Sequence, residues 1–377
     1  MKSITRYLAY ITILALPLYI VRFSIGPIPT TVLEVLIYLT FLFSLFSGSL
    51  KGIFKNKLFY FGLIFVAVTF IGVLVDPDKT RALGLYKAYF VDGFLLFTAI
   101  INCEKEEKKT ILNLIILAGL ITSLNALLQY YFGIRAQDNR LLDLDRLSPN
   151  YLAMFISPIL ILSLGQMIIK IKEKIFYLYL SLSLVFIFAL FLTGSRGAII
   201  GVLGGAIILI SQIVGNKYSK KAQKIFIISS LILLILATAY VFKPKWSDMG
   251  RAGSSSNIRY YIWSTSVEII KKNPILGVGL SNFQDYFSNL TKDRINYPEF
   301  ISPQALTAHN LYIQLYLAGS IFSLIAFVIF VASVLKKNKN AIVLAALVAI
   351  LVYGLVDTPI FKNDLAVLFW IVLAIGI

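Results

Sequence analysis

The single histidine, His309, and two arginines, Arg196 and Arg259, are the residues whose types and settings suit chemistry. His309 opens an apolar stretch and is followed by Asn310, Leu311 and Tyr312. An imidazole exchanges a proton near neutral pH, so the useful role open to it is general base; one imidazole cannot build a metal site, and no metal or other cofactor is expected. Arg196 follows Thr193-Gly194-Ser195 in a break between two apolar stretches too short to be anything but a tight turn. Ser195 can cap the next helix, which leaves Arg196 in its first turn. A cation there opposes the helix dipole, so its presence suggests a bound anion. Arg259 repeats the oddity after Ser254-Ser255-Ser256-Asn257, at the start of an expected amphipathic helix that carries Tyr260, Tyr261 and Trp263 and stops near Asn273-Pro274. The competing reading is snorkelling at a membrane boundary for the arginines and a structural role for the histidine.

What must position these residues is a membrane fold. The chain has 377 residues, 59% of them hydrophobic and 14% charged, with a mean hydropathy of +0.85, which a soluble domain could not carry without large exposed apolar patches. Twelve apolar runs of spanning length recur over 5–23, 29–49, 58–75, 83–101, 111–132, 149–169, 175–193, 196–214, 225–242, 309–334, 341–357 and 364–377. The expected fold is therefore all-α: one polytopic membrane domain over 1–377, with a large extracytoplasmic segment at 243–308. The first run, behind Lys2 and Arg6, reads as a retained anchor rather than a cleaved signal. A lone cysteine, Cys103, excludes a disulfide framework.

Charge sorts the breaks into two sides. One set, from Lys2 and Arg6 through the lysines near 51–57, 105–109, 170–174, 217–224 and 336–339, holds eighteen positive charges against four acids, and so is expected to face the cytoplasm together with both termini. The net charge of +17 is then mostly a topology signal, and nucleic-acid binding has little left to explain. The other side holds nine of the ten arginines. Arginine presents a rigid fork of donors suited to phosphate or carboxylate, so an outer-face anion site is expected. Arg146 belongs to this set, in a segment over 133–148 that pairs Arg135, Arg140 and Arg146 with Asp138, Asp143 and Asp145 and reads mainly as a self-paired loop. Gly277-Val278-Gly279 reads as a turn, not a nucleotide loop. Within the spans, Glu34, Lys87 and Asp92 demand partners; Lys87 and Asp92, five apart, do not share an α-helical face cleanly.

Taken in order, Pro149-Asn150-Tyr151-Leu152-Ala153, Leu192 to Ala198, Arg259 with Tyr260 and Trp263, Asn273 to Gly279, Asn282-Phe283, and Ala308-His309-Asn310 with Gly319 resemble the O-antigen ligase and polysaccharide polymerase family of bacterial envelopes. The resemblance covers about residues 145–335. It implies a GT-C-like, metal-independent membrane glycosyltransferase of the inner membrane. Its donor would be a polyprenyl-diphosphate-linked glycan and its acceptor lipid A core or another glycan, with the active site on the periplasmic side. Carried over by position, Arg196 and Arg259 hold the diphosphate and His309 activates the acceptor hydroxyl, with Asn310, Trp263 and Arg146 as further substrate-binding candidates. Ligase, repeat-unit polymerase and protein O-oligosaccharyltransferase remain open within the resemblance. A twelve-helix transporter is the rival outside it; no pair of broken helices in two halves supports alternating access.

Overall fold

The computed structural model describes residues 3–26, 28–241, 255–294, 305–338 and 340–376. The chain is mostly helical, and the main helices in order are α1 (Ser3–Leu14), α2 (Val32–Phe46), α3 (Lys57–Val75), α4 (Lys79–Ile100), α5 (Lys105–Tyr131), α6 (Pro149–Ile169), α7 (Phe176–Thr193) and α8 (Arg196–Lys217). They continue with α9 (Lys220–Val241), α10 (Ser255–Lys272), α11 (Phe283–Thr291), α12 (Leu311–Gly319), α13 (Ile321–Lys337), α14 (Ala341–Tyr353) and α15 (Asn363–Ile375). Among the described residues six helices, α3 to α8, are long and apolar enough to cross a membrane, and four shorter apolar helices accompany them. The chain is thus a polytopic membrane protein.

Two departures from an all-helical chain have identifiable causes. The first helix ends at Leu14, and the backbone continues as a 3-10 turn over Leu16–Ile20 that contains Pro17, whose ring cannot donate the next helical hydrogen bond. A short antiparallel pair of strands follows, β1 (Arg22–Ile25) and β2 (Ile28–Thr31), reversed through Gly26 at φ +59°. The run expected over 309–334 is broken between α12 and α13 at Ser320, which has φ +97°. There the outer segment docks into the gap: the Val278 amide donates to the Leu317 carbonyl at 2.8 Å, and the freed Ile321 amide donates to Ile275 at 3.1 Å. Gly277, at φ +72°, lies so close that a β-carbon on it would overlap the Leu317 carbonyl oxygen. The glycine pair expected only to turn the chain therefore anchors the outer segment to the bundle.

That segment has a small core of its own. Ile262, Ile269, Phe283 and Phe287 pack with Ala308 and Leu317, which joins α10 and α11 to α12 and the residue run leading into it. The amphipathic helix expected after Ser254 is α10; Ser254 itself, Arg251 and the rest of 242–254, with 295–304, fall outside the described residues.

The intramembrane charges find partners by a route the spacing alone conceals. Lys87 ion-pairs with Glu34, which also accepts from Thr30 at 2.9 Å and Asn363 at 3.1 Å, and Asp92 accepts from the Tyr38 hydroxyl at 2.6 Å. Contrary to the α-helical expectation, Lys87 and Asp92 do face one neighbour. A π-helical turn over Lys87–Val91, closed by the Asp92 amide on the Lys87 carbonyl, aligns residues five apart, opposite Glu34 and Tyr38 on α2.

Candidate functional site

Ser195 begins the site. Gly194, at φ +59°, ends α7 in the left-handed conformation, and the Ser195 hydroxyl accepts from the Ala198 amide at 3.4 Å as the cap of α8. The same hydroxyl meets the Tyr353 hydroxyl at 2.7 Å, which ties the start of α8 to the end of α14. Glycines line this seam: a β-carbon on Gly197 would sit 2.7 Å from the Tyr353 ring and 3.2 Å from Val356. Arg196 is exposed in the first turn of α8, as the capping signal implied.

Arg259, four residues into α10, is buried against the loop between α14 and α15. Its Nε donates to the Val356 carbonyl at 2.9 Å, and its Nη2 meets Asp357 Oδ2 at 3.4 Å. Arg196 lies within electrostatic range of Arg259. Like charges brought together in a partly desolvated place are unfavourable unless negative charge is shared between them.

His309 sits on the other side of the same carboxylate. Its Nδ1 lies 3.2 Å from Asp357 Oδ1, and its backbone is held at φ +46° immediately before α12. Asp357 is buried, with a side-chain exposure of 4%, against 31% for His309. Burial pushes the Asp357 carboxyl up, but the His309 charge and hydrogen bond, the Arg259 charge and the Thr358 amide outweigh burial and hold it below the ordinary carboxylate range. Asp357 therefore stays ionised at neutral pH and can only accept, so His309 Nδ1 donates the hydrogen of that contact, and in the neutral ring the lone pair is left on Nε2.

The other expected residues divide. Trp263 donates its indole N–H to the His309 carbonyl at 3.3 Å and packs against the core, so it braces the histidine backbone. Asn310 caps α12, accepting from the Tyr312 and Ile313 amides at 3.0 Å each, and donates to the Leu355 carbonyl at 2.8 Å. These are bracing contacts with the protein itself. Arg146 is exposed at φ +61°, and the contacts that join Arg259, Asp357 and His309 do not include it. Its segment is self-paired only in part. Arg140 bonds Asp138 at 2.6 Å, but Asp145 pairs with Arg22 and Asp143 with Lys362. Lys362 is buried; burial alone would lower its pKa, but Asp364, Asp143 and Asp145 raise it above the usual lysine value.

Sequence reasoning missed Asp357, which lies 48 residues beyond His309 and fell inside an expected span. The signal available was an acid at the very end of an apolar run, followed by Thr358-Pro359 in an expected outward break.

Residues 181–328, which contain Arg196, Arg259 and His309, match a family model described as O-antigen ligase. The chain is also similar to an O-antigen ligase of Salmonella typhimurium, 23% identical over 304 residues that cover 78% of this chain and 73% of that one. A helical membrane fold with these matches defines the class as a glycan-transferring membrane enzyme. Both matches are to O-antigen ligases, which is what this chain is similar to.

Proposed function

We propose that this enzyme moves a glycan from a polyprenyl-diphosphate carrier to an acceptor hydroxyl, that of lipid A core, on the periplasmic face of the inner membrane. The observation that carries the reading is Asp357 bridging His309 and Arg259, with Arg196 within reach of the Arg259 charge. In this reading His309 Nε2 takes the proton of the acceptor hydroxyl as its oxygen attacks the anomeric carbon. The bond from that carbon to the diphosphate oxygen breaks, and the carrier diphosphate leaves with the electron pair. Arg196, Arg259 and the N-terminus of α8 meet the charge that accumulates on it, which lowers the barrier by matching the transition state. Direct displacement inverts the anomeric configuration. Nothing in these steps requires a metal.

The accompanying topology has twelve spans in a GT-C-like bundle over 1–377, both termini cytoplasmic and the segment over 243–308 periplasmic. The lysine bias of the opposite breaks and the one-sided arginines support that orientation. A repeat-unit polymerase or a protein O-oligosaccharyltransferase would use the same chemistry on another acceptor. The ligase reading is favoured because the family description and the Salmonella relative both carry that name. Cells lacking the chain decide between them: loss of a ligase removes all glycan from the acceptor, whereas single repeats left on it would identify a polymerase and overturn the ligase reading.

A further inference from the structure

The end of the bundle opposite Arg196 holds a second concavity. The helices α8 and α14 run antiparallel, with Gly197 beside Tyr353 at one end and Gly205 beside Ala345 towards the other. The start of α14 therefore lies far from the site described above. There the beginnings of α5 and α14 and the ends of α6 and α15 enclose a cavity of about 910 Å³. Lys105, Lys108, Lys109 and Lys170 line it together with an apolar wall of Leu112, Ile342, Val343 and Ile375.

The positive charge of this cavity is poorly compensated. Lys170 is held by Glu173 at 2.7 Å, and Lys109 lies 3.7 Å from an exposed Glu106. The Glu107 side chain is turned to the Glu104 amide as a cap. Among the described residues no carboxylate within ion-pair distance accompanies Lys105 or the half-buried Lys108. Two helix N-termini open on the same space; that of α5 is capped by the Glu104 and Glu107 carboxylates, whereas that of α14 is capped by the neutral Asn340, so the α14 dipole adds to the ammonium charges. Lysines at helix starts are electrostatically adverse unless an anion neutralises both.

We propose that this cavity binds the phosphate headgroup of an anionic glycerophospholipid. A lone phosphate would leave most of the volume and the apolar wall unused. A lipid fits both halves: its headgroup meets Lys105 and Lys108, and its first acyl carbons run along Ile342 and Ile375 and leave past Ile169, which is 63% exposed on the outer wall of the bundle. The site is independent of the glycan chemistry at the other end.

The test uses the purified full-length protein in detergent, with native mass spectrometry of retained lipid. Phosphatidylglycerol is expected to be retained over phosphatidylcholine, and the Lys105→Gln/Lys108→Gln variant to lose roughly tenfold to thirtyfold of that preference, from the usual contribution of a lysine to anionic-lipid binding. The Lys105→Arg/Lys108→Arg variant, which keeps both charges, should retain it, and so should Lys220→Gln/Lys221→Gln, which removes two charges at the same end but outside the cavity. Equal retention of the two lipids, an equal loss in the Lys220/Lys221 variant, or complete displacement by millimolar inorganic phosphate would each overturn the proposal.

Discussion

Replacing Asp357 with asparagine keeps the shape of the side chain and removes the charge that His309 and Arg259 share. Two consequences can be sized. Taking one partner from a buried ion pair costs about 3–5 kcal/mol of stability, because the remaining charge is left uncompensated. The buried, hydrogen-bonded Arg259 is that remaining charge. The second consequence is chemical. Asparagine can present its amide N–H to His309 Nδ1, which moves the ring proton to Nε2 and removes the lone pair that would accept the hydroxyl proton. Where a carboxylate orients a catalytic histidine in this way, its asparagine variant loses about 10⁴ in kcat, and the 3.2 Å contact here sets an expected loss of about 10³ to 10⁴. The assay is glycan transfer by purified Asp357→Asn at a temperature where a melt shows it folded. In the His309→Ala background the same change should cost about tenfold or less, since groups that act as a unit are not additive. A folded Asp357→Asn enzyme within tenfold of the wild-type rate would refute the orienting role, as would a full additive loss in the double variant.

Three other perturbations probe the surroundings. Arg196→Lys keeps the charge but loses the fork of donors, so transfer should fall at least about tenfold while the melting temperature stays unchanged; unaltered kinetics would show that charge alone matters there. Gly277→Ala places a β-carbon on the Leu317 carbonyl oxygen at a positive φ and should destabilise the outer segment by about 1–3 kcal/mol, read as earlier proteolysis of that segment. The depressed pKa of Asp357 means that its stabilising contribution is complete above the ordinary carboxylate value, about 4, and is lost only as pH falls below it. The difference in thermal stability between wild type and Asp357→Asn should therefore shrink as pH falls below about 4, and a difference undiminished there would contradict the assignment.

Most of the helical framework was legible because lipid imposes a strong rule: apolar runs of spanning length must be helices, and every expected run has a helix at its place. Caps were legible for a related reason. Ser195 stands where a short polar side chain satisfies free amides, and it does so. The hydropathy pattern does not mark tertiary interruptions. The break at Ser320 depends on Val278 and Ile275, some forty residues earlier in the chain, and the π turn at Lys87 answers to Glu34 and Tyr38 on another helix. Asp357 was hidden for the same reason, since the partners that give it meaning are 48 and 98 residues away. Asn310 illustrates the converse. The resemblance marks it as a substrate-binding candidate, and the hydropathy pattern gave no sign that its oxygen and amide also bond the backbone of α12 and Leu355.

The most direct measurement is transfer by the purified chain in liposomes supplied with a polyprenyl-diphosphate glycan and lipid A core, with a chelator present and the product linkage read by NMR. The expected result is transfer unaffected by the chelator, with inverted anomeric configuration, abolished in His309→Ala and Arg259→Ala. A product of retained configuration, or undiminished transfer in both variants, would contradict a reaction run by Arg196, Arg259 and His309.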